Sequence, residues 1–319
     1  MIHIYPLKLR GVTKSPIWGG TRLLHHWNKT SGNETVGESW ELTVRAAEQS
    51  RVSNGIYSGR TLAELLVNNA GDIMGASFYS DGAFPLLVKM IDAADRLSVQ
   101  VHPDDAYAAN VENDRGKTEM WYIVEADENA EIICGLADGV TQQDFADAVA
   151  NGTLESALRH QRVRAGETYF IPSGLPHAIG KGILIAEIQQ NCDLTYRVYD
   201  YDRRDKNGNL RALHVKKALD VIRPFSEDEV EAIRYSRGKA DGVLANCAYF
   251  CVEKLDVNGN RSLPADVHMR HLLCLSGDIS LVGNSFCEPV TKGDSYLLPA
   301  ALENVELCGK GTLLLSIAY

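Results

Sequence analysis

The chain has 319 residues, with 32 Lys+Arg against 42 Asp+Glu and a formal net charge of −10. That length suits one large or two modest domains, and 45% hydrophobic with 23% charged residues excludes a disordered, collagen-like or disulfide-dense chain. An acidic balance without a Lys/Arg stripe speaks against a nucleic-acid partner, and no apolar run reaches the roughly 18 residues of a bilayer span. Met1-Ile2-His3-Ile4-Tyr5 lacks the basic-then-apolar order of a secretion signal, so a cytoplasmic location is expected. Cys134, Cys192, Cys247, Cys251, Cys274, Cys287 and Cys308 form no C-x-x-C pair. Free buried thiols are therefore expected ahead of a disulfide framework or a thiolate metal site.

In chain order, Thr61 with Glu64 is a capping box that opens a helix with an apolar face. Short apolar or alternating runs bounded by Gly, Pro and Asn/Asp predict strands over Pro85–Ile91, Ser98–Val101, Met120–Val124, Ala130–Cys134, Glu167–Ile171 and Gly182–Ile188. Among them, Thr141–Ala150 with Leu154–Leu158 predicts a helical pair, and Val215–Ile222 and Glu227–Tyr235 are polar and helix-compatible. Ser236–Gly242 reads as a linker. A second strand-rich run follows from Cys247 to Tyr319, with turns at Val257–Asn260, Ser276–Asp278 and Lys292–Asp294. Many short strands at close spacing predict a sandwich or barrel.

A weak internal repeat connects the halves. Gly166-Glu167-Thr168-Tyr169-Phe170-Ile171-Pro172 parallels Gly293-Asp294-Ser295-Tyr296-Leu297-Leu298-Pro299. Each reads as a Gly/acid turn entering a strand that stops at Pro, which cannot donate to a central ladder. His177 stands five residues past the first Pro, Asn304 five past the second. The second copy is therefore expected to keep the fold without that ligand.

Gln100 and His102, two apart in a predicted strand, point to one face. Glu119 is an acidic residue leading an otherwise apolar strand, and His177 closes a Gly-x5-Pro-x-Gly-x2-His turn. Two imidazoles, a carboxylate and an amide oxygen make a mixed N/O set suited to a borderline divalent cation. Taken singly, each has a blander reading: a His after Pro is usually a surface or capping residue, and Glu119 alone reads as a strand-end charge. Spacing alone does not bring the segments together. His268-x-x-His271 has helical spacing in a strand-like context and reads as structural, and Tyr196–Tyr201 is compatible with simple aromatic packing in a strand. There is no Walker A loop, G-x-G-x-x-G or G-x-S-x-G elbow.

The segments Gln100–Asp105, Gly116–Tyr122, Pro172–Ala178 and Glu187–Arg203, with Ile17-Trp18-Gly19-Gly20 and Gly37-Glu38-Ser39-Trp40, resemble type I mannose-6-phosphate isomerase in its short bacterial form. The Gly-x5-Pro-x-Gly-x2-His spacing itself resembles the second motif of cupin barrels. The resemblance runs in order from about Pro6 to the C-terminus. It implies a mainly β protein of two cupin-type (jelly-roll) β-barrel domains with helical insertions: residues 1–240 as the catalytic zinc-binding domain and 241–319 as a degenerate cupin-like domain without metal. It also implies one Zn²⁺ per chain, a small-molecule sugar phosphate as the only partner, and interconversion of mannose 6-phosphate with fructose 6-phosphate.

Carried over by motif, Gln100, His102, Glu119 and His177 match the zinc-ligand positions, Gln100 being the weakest because some short relatives have Lys there. Arg197 matches the arginine regarded as catalytic. Aldose–ketose isomerisation moves a proton between C1 and C2 and needs a base, a stabiliser of developing negative charge and a phosphate anchor. Lys117 and Glu187 are the proton-transfer candidates; Ser98, Lys89 and Arg203 are candidate phosphate contacts, with a solvated surface charge the competing reading for Lys89 and Arg203. Two His and one Glu also suit a ferrous cupin oxygenase, and a non-catalytic sugar-binding cupin is the alternative from another class. Proton-transfer groups beside an intact ligand set argue against the binder.

Overall fold

Strand Leu86–Ala93 is buried at all eight positions, a pattern that requires cover on both faces of its sheet. The computed structural model describes the chain except residues 1–2, 78–81, 206, 224 and 238–240, and at 227 and 234–237 the backbone alone. Leu86–Ala93 lies inside a seven-stranded sheet ordered 234–237, Glu167–Ile171, Glu119–Ala126, Ile183–Gln190, Leu86–Ala93, Glu38–Leu42, Val12–Lys14. A five-stranded sheet, ordered Tyr196–Tyr199, Val99–Val101, His177–Ile179, Glu131–Leu136, Leu158–Arg162, faces it. Every strand pairing among the described residues is antiparallel.

Alternation of side chains assigns the two faces of the larger sheet to two cores. Trp121, Ile123, Ile183 and Ile185 pack inward with Cys134, Ile171 and Ile179, closing a first barrel. Met120, Tyr122, Leu184, Ala186 and Val88 pack outward against Leu244, Phe250, Val252, Leu273, Leu297 and Leu314 of a second sheet system. That system runs Gly242–Asn246, Phe250–Leu263, Val305–Ala318, Arg270–Val282, Ser295–Leu298, Leu7–Arg10, Arg51–Val52, with Cys287–Thr291 also on Arg270–Val282. It encloses its own apolar interior around Leu272, Cys274, Leu298, Leu313 and Leu315. Helices are additions to this frame: Leu62–Met74, opened by the Thr61/Glu64 capping box, and Gln142–Asn151 and Val215–Val221, which cover the outside of the five-stranded sheet. The mainly β, barrel-type architecture expected from the sequence is what the chain forms. No helix among the described residues is long and apolar enough to cross a membrane, and the seven cysteines are free.

Both copies of the repeat adopt one conformation. Gly166 and Gly293 take φ of +89° and +87°, and the acid after each accepts a backbone N–H three residues back, Arg164 to Glu167 and Thr291 to Asp294. The strands then end at Ile171 and Leu298, one residue before Pro172 and Pro299.

Several expectations need correction. Val257–Asn260 and Ser276–Asp278 are not turns but lie inside the continuous strands Phe250–Leu263 and Arg270–Val282. There Gly259 faces Gly309 and Gly277 faces Gly311 across the ladder; Gly259 and Gly277 both take a positive φ inside a strand, and at Gly277 the backbone of Lys310 also leaves no room for a Cβ, so neither marks a chain reversal. Leu154–Ala157 is a single 3₁₀ turn, and Leu158 already begins a strand. The helix from Glu227 ends at Ile233, and 234–237 is a strand on Glu167–Ile171. The supposed linker thus starts in one strand and ends at the first residue of another, Gly242; residues 238–240 lie outside the described residues.

Candidate active site

Three segments distant in sequence meet between the two sheets of the first barrel. Glu119 opens its strand in the seven-stranded sheet, His177 opens its own in the five-stranded sheet, and His102 follows strand Val99–Val101 directly. All three are buried, and their ligating atoms lie within 4.8 Å of one another. His102 Nδ1 is 2.8 Å from the carbonyl of Leu194 and His177 Nδ1 2.8 Å from that of Leu175. A carbonyl only accepts, so each Nδ1 carries the proton and each Nε2 is left with its lone pair. Those two Nε2 atoms face each other at 3.1 Å, each 3.6 Å from a Glu119 oxygen, and Glu119 Oε1 accepts no hydrogen bond. Lone pairs and a carboxylate converging in a buried space repel unless a cation sits among them, so the donor set fits a divalent metal.

Burial keeps both imidazoles neutral, His102 well below the ordinary histidine range and His177 down to about 4. Burial, helped by the charge of Glu187, pushes the Glu119 carboxyl up to about 7 against the pull of Lys117. Gln100 is paired with His177 across the ladder, and its side-chain amide nitrogen lies 3.4 Å from His177 Nε2. Rotating the amide by half a turn would offer its oxygen at the same point.

A cavity of about 230 Å³ opens beside this cluster, and Gln100, Ser98, Lys89, Lys117, Glu187 and Arg197 line it. Four residues form a row across adjacent strands of the larger sheet: Trp121, Glu187, Lys89 and Trp40. Glu187 accepts from Trp121 Nε1 at 3.2 Å and lies 3.2 Å from Lys89 Nζ. Burial opposes its ionisation, but Lys117 and Lys89 outweigh it and hold the carboxyl below its usual range. Lys117 Nζ is 3.0 Å from Glu119 Oε2; burial opposes its charge too, and Glu119 and Glu187 more than restore it. On the opposite wall Arg197, paired with Gln100 across the ladder, donates through Nε to Ser98 Oγ at 3.1 Å and through Nη1 to the carbonyl of Ala212 at 3.0 Å.

The structure does not bring Arg203 to this cavity. Its guanidinium is spent on Asp200 and the carbonyl of Arg96, whereas Arg211, held on the same Asp200 carboxylate, lines the cavity. Arg211, Asp193, Thr195 and Lys14 also line the cavity; Arg211 and Lys14 are bare polar residues in sequence, and Asp193 and Thr195 fall within the segment Glu187–Arg203 without spacing that gives them a role. Trp40, the last residue of the segment Gly37–Trp40, also lines the cavity, with Lys14 Nζ 3.4 Å and Lys89 Nζ 4.8 Å from its ring centroid. A larger cavity of about 870 Å³ beside helix Leu62–Met74 contains none of the ligand or proton-transfer candidates. Chemistry rather than size marks the site.

Comparison with known proteins gives the same direction. Residues 7–145 match the catalytic domain of type I phosphomannose isomerase and residues 242–318 the cupin domain of mannose-6-phosphate isomerase. The chain is 38% identical to mannose-6-phosphate isomerase ManA of Bacillus subtilis over 98% of both chains. It is 37% identical to mannose-6-phosphate isomerase of Streptococcus mutans over 95% of both. Among solved structures, the mannose 6-phosphate isomerase from Bacillus subtilis superposes with a TM-score of 0.87 at 35% identity, covering 98% of this chain and 99% of that one. A variant of the phosphomannose isomerase from Salmonella typhimurium, at 14% identity, shares the fold with a TM-score of 0.81 over 98% and 99%. The chain belongs to the type I mannose-6-phosphate isomerase family.

Proposed function

We propose that this protein interconverts mannose 6-phosphate and fructose 6-phosphate, with residues 1–240 carrying the site and 241–319 forming the degenerate cupin-like domain. One observation carries the reading: Glu187, a carboxylate held ionised by Lys89 and Lys117, lines a cavity with Gln100 and Lys117, and Lys117 is ion-paired with Glu119 of the His102/Glu119/His177 set. A binding module needs anchors only, whereas abstraction of a proton next to a carbonyl needs a positioned base in its ionised form.

His102, Glu119 and His177 hold the metal in this reading, with Gln100 as a fourth ligand, and zinc is the ion we assign. Bound there, zinc would supply Lewis-acid polarisation of the sugar carbonyl. Glu187 takes the proton at one carbon and returns it to the other, while the hydroxyl proton passes from the oxygen on one of these carbons to the oxygen on the other. Lys117 keeps Glu187 ionised and sets a positive charge against the negative charge that develops on the substrate oxygens. Arg197, braced by Ser98 and Ala212, presents a permanent cation that does not titrate in the working range. Ser98, Lys89 and Arg211 receive the phosphate, and Arg203 acts at one remove by sharing Asp200 with Arg211.

The test is formation of glucose 6-phosphate from mannose 6-phosphate through added phosphoglucose isomerase. Turnover that disappears in the Glu187→Gln variant is the expected result. Tight sugar-phosphate binding without turnover would replace this reading with a sugar-binding cupin, and oxygen consumption with ferrous iron would replace it with an oxygenase.

A further inference from the structure

The two barrels can be compared position by position through strand register. In the first, Glu119 pairs with Ile171 on one side and Gln189 on the other. In the second, the residue that pairs with Leu298, the repeat equivalent of Ile171, is Arg270, whose other neighbour is Ile317. His177 corresponds to Asn304 by its distance from Pro. Gln100 sits across the ladder from His177, and the pairing of Leu263 with Val305, extended by one residue, sets Pro264 across from Asn304.

Two of these equivalent residues, Arg270 and Pro264, are in contact, and Asn304 bonds to the residue after Pro264. Arg270 is 2% exposed and shares its strand face with Leu272 and Cys274 of the apolar interior. Its Nη1 donates to the carbonyl of Pro264 at 2.6 Å, its charge is felt by Asp266, and its Nε and Nη2 have no hydrogen-bond partner. Asn304 Oδ1 accepts from the N–H of Ala265 at 2.7 Å. We infer that the second barrel keeps the ligand constellation in register with its charge inverted: the guanidinium of Arg270 stands at the place of the Glu119 carboxylate and supplies, from the chain itself, the cation that ties the site together.

This tether has a task. The segments it braces receive the C-terminal end of helix Leu62–Met74, whose last carbonyls have no partner within the helix. Ala301 donates to Asp72, Ala300 to Ile73 and Met269 to Met74, and Gly75 bridges to His268. The degenerate site has become a socket in which the last carbonyls of helix Leu62–Met74 are capped by backbone N–H groups of the second barrel. The comparison with a metal rests on the ligand reading of the first barrel; the tether and the socket do not.

The competing reading, an unpaired charge left over in a core, makes the opposite prediction, because an apolar residue of similar size usually matches or improves on a buried ion. The full-length chain is compared as wild type, Arg270→Met and Arg270→Lys, by thermal unfolding and amide hydrogen exchange. The expected result is a Tm lower by about 5 °C for Arg270→Met, with about tenfold faster exchange at Ala265, Met269, Ala300 and Ala301, and partial recovery in Arg270→Lys. An Arg270→Met protein as stable as wild type, or Arg270→Lys no better than Met, overturns the inference. If Arg270→Met does not fold, Arg270→Lys decides: folded with those four amides protected supports it, unfolded overturns it. Neither readout uses activity or metal content, so the outcome is independent of the isomerase reading.

Discussion

His102 and His177 present their Nε2 atoms to each other at 3.1 Å while each Nδ1 is held by a backbone carbonyl. The carbonyls of Leu194 and Leu175 therefore choose the tautomer that ligates, before any metal arrives. Chelation should abolish activity and Zn²⁺ restore it. His102→Ala and His177→Ala should lose the ion, and Gln100→Ala only part of it, since an amide oxygen is a weak neutral ligand. Metal analysis paired with the coupled assay checks this, and full turnover by a metal-free preparation would remove zinc from the reading.

Arg197 is braced at two of its nitrogens but meets no carboxylate within ion-pair distance among the described residues. Arg197→Ala should lower kcat by on the order of 10²- to 10³-fold with metal content unchanged, the usual effect of deleting one donor to developing charge. Arg197→Lys should recover little, because a compact ammonium does not reproduce the planar fork. The measurement is kcat and KM with metal verified; a tenfold rise in KM at constant kcat would move Arg197 from catalysis to phosphate anchoring.

His271 lies on the second sheet, 2.7 Å from Ser295 Oγ, and burial together with Lys29 pushes its pKa down to about 3. The unfolded chain binds a proton at this side chain near pH 6.5, the folded one does not. Between those values acid therefore favours unfolding, by up to roughly 1.4 kcal/mol per pH unit. His271→Gln should flatten the decline of stability between pH 6.5 and 4 relative to wild type. Urea unfolding at several pH values reads the difference, and parallel curves for the two proteins would show that His271 does not titrate in this way.

Gly277 takes φ of +94°, and a Cβ there would lie 2.0 Å from the carbonyl oxygen of Lys310. Gly259 takes φ of +101° with nothing within 4 Å of such an atom. Both glycines to alanine should destabilise, Gly259→Ala by about 1 kcal/mol for conformation alone and Gly277→Ala by about 3 kcal/mol, since backbone must also move. Denaturant midpoints for the two variants give the comparison, and equal losses would show that the cross-strand contact carries no energy.

Much of this protein was legible in one dimension. The Gly-x5-Pro repeat, the apolar runs of Leu86–Ala93 and Glu119–Ala126 and the capping box at Thr61 each act within a few residues, where φ preference, alternation and a missing N–H decide the outcome. Gln100 and His102 could be placed on one face for the same reason. Glycines inside Phe250–Leu263 and Arg270–Val282 misled, because the same freedom that makes a turn also lets two strands touch. What only tertiary structure decided is which distant segments meet. Glu119 belongs to one sheet and His102 and His177 to the facing one, so the cluster exists only once the sheets pack. Arg203 and Arg211 look alike as isolated charges, and the fold, through Asp200, holds one outside the cavity and turns the other to line it. Local chemistry is written in neighbours along the chain; a site built across two sheets is set by register and packing, which act between residues that spacing does not relate.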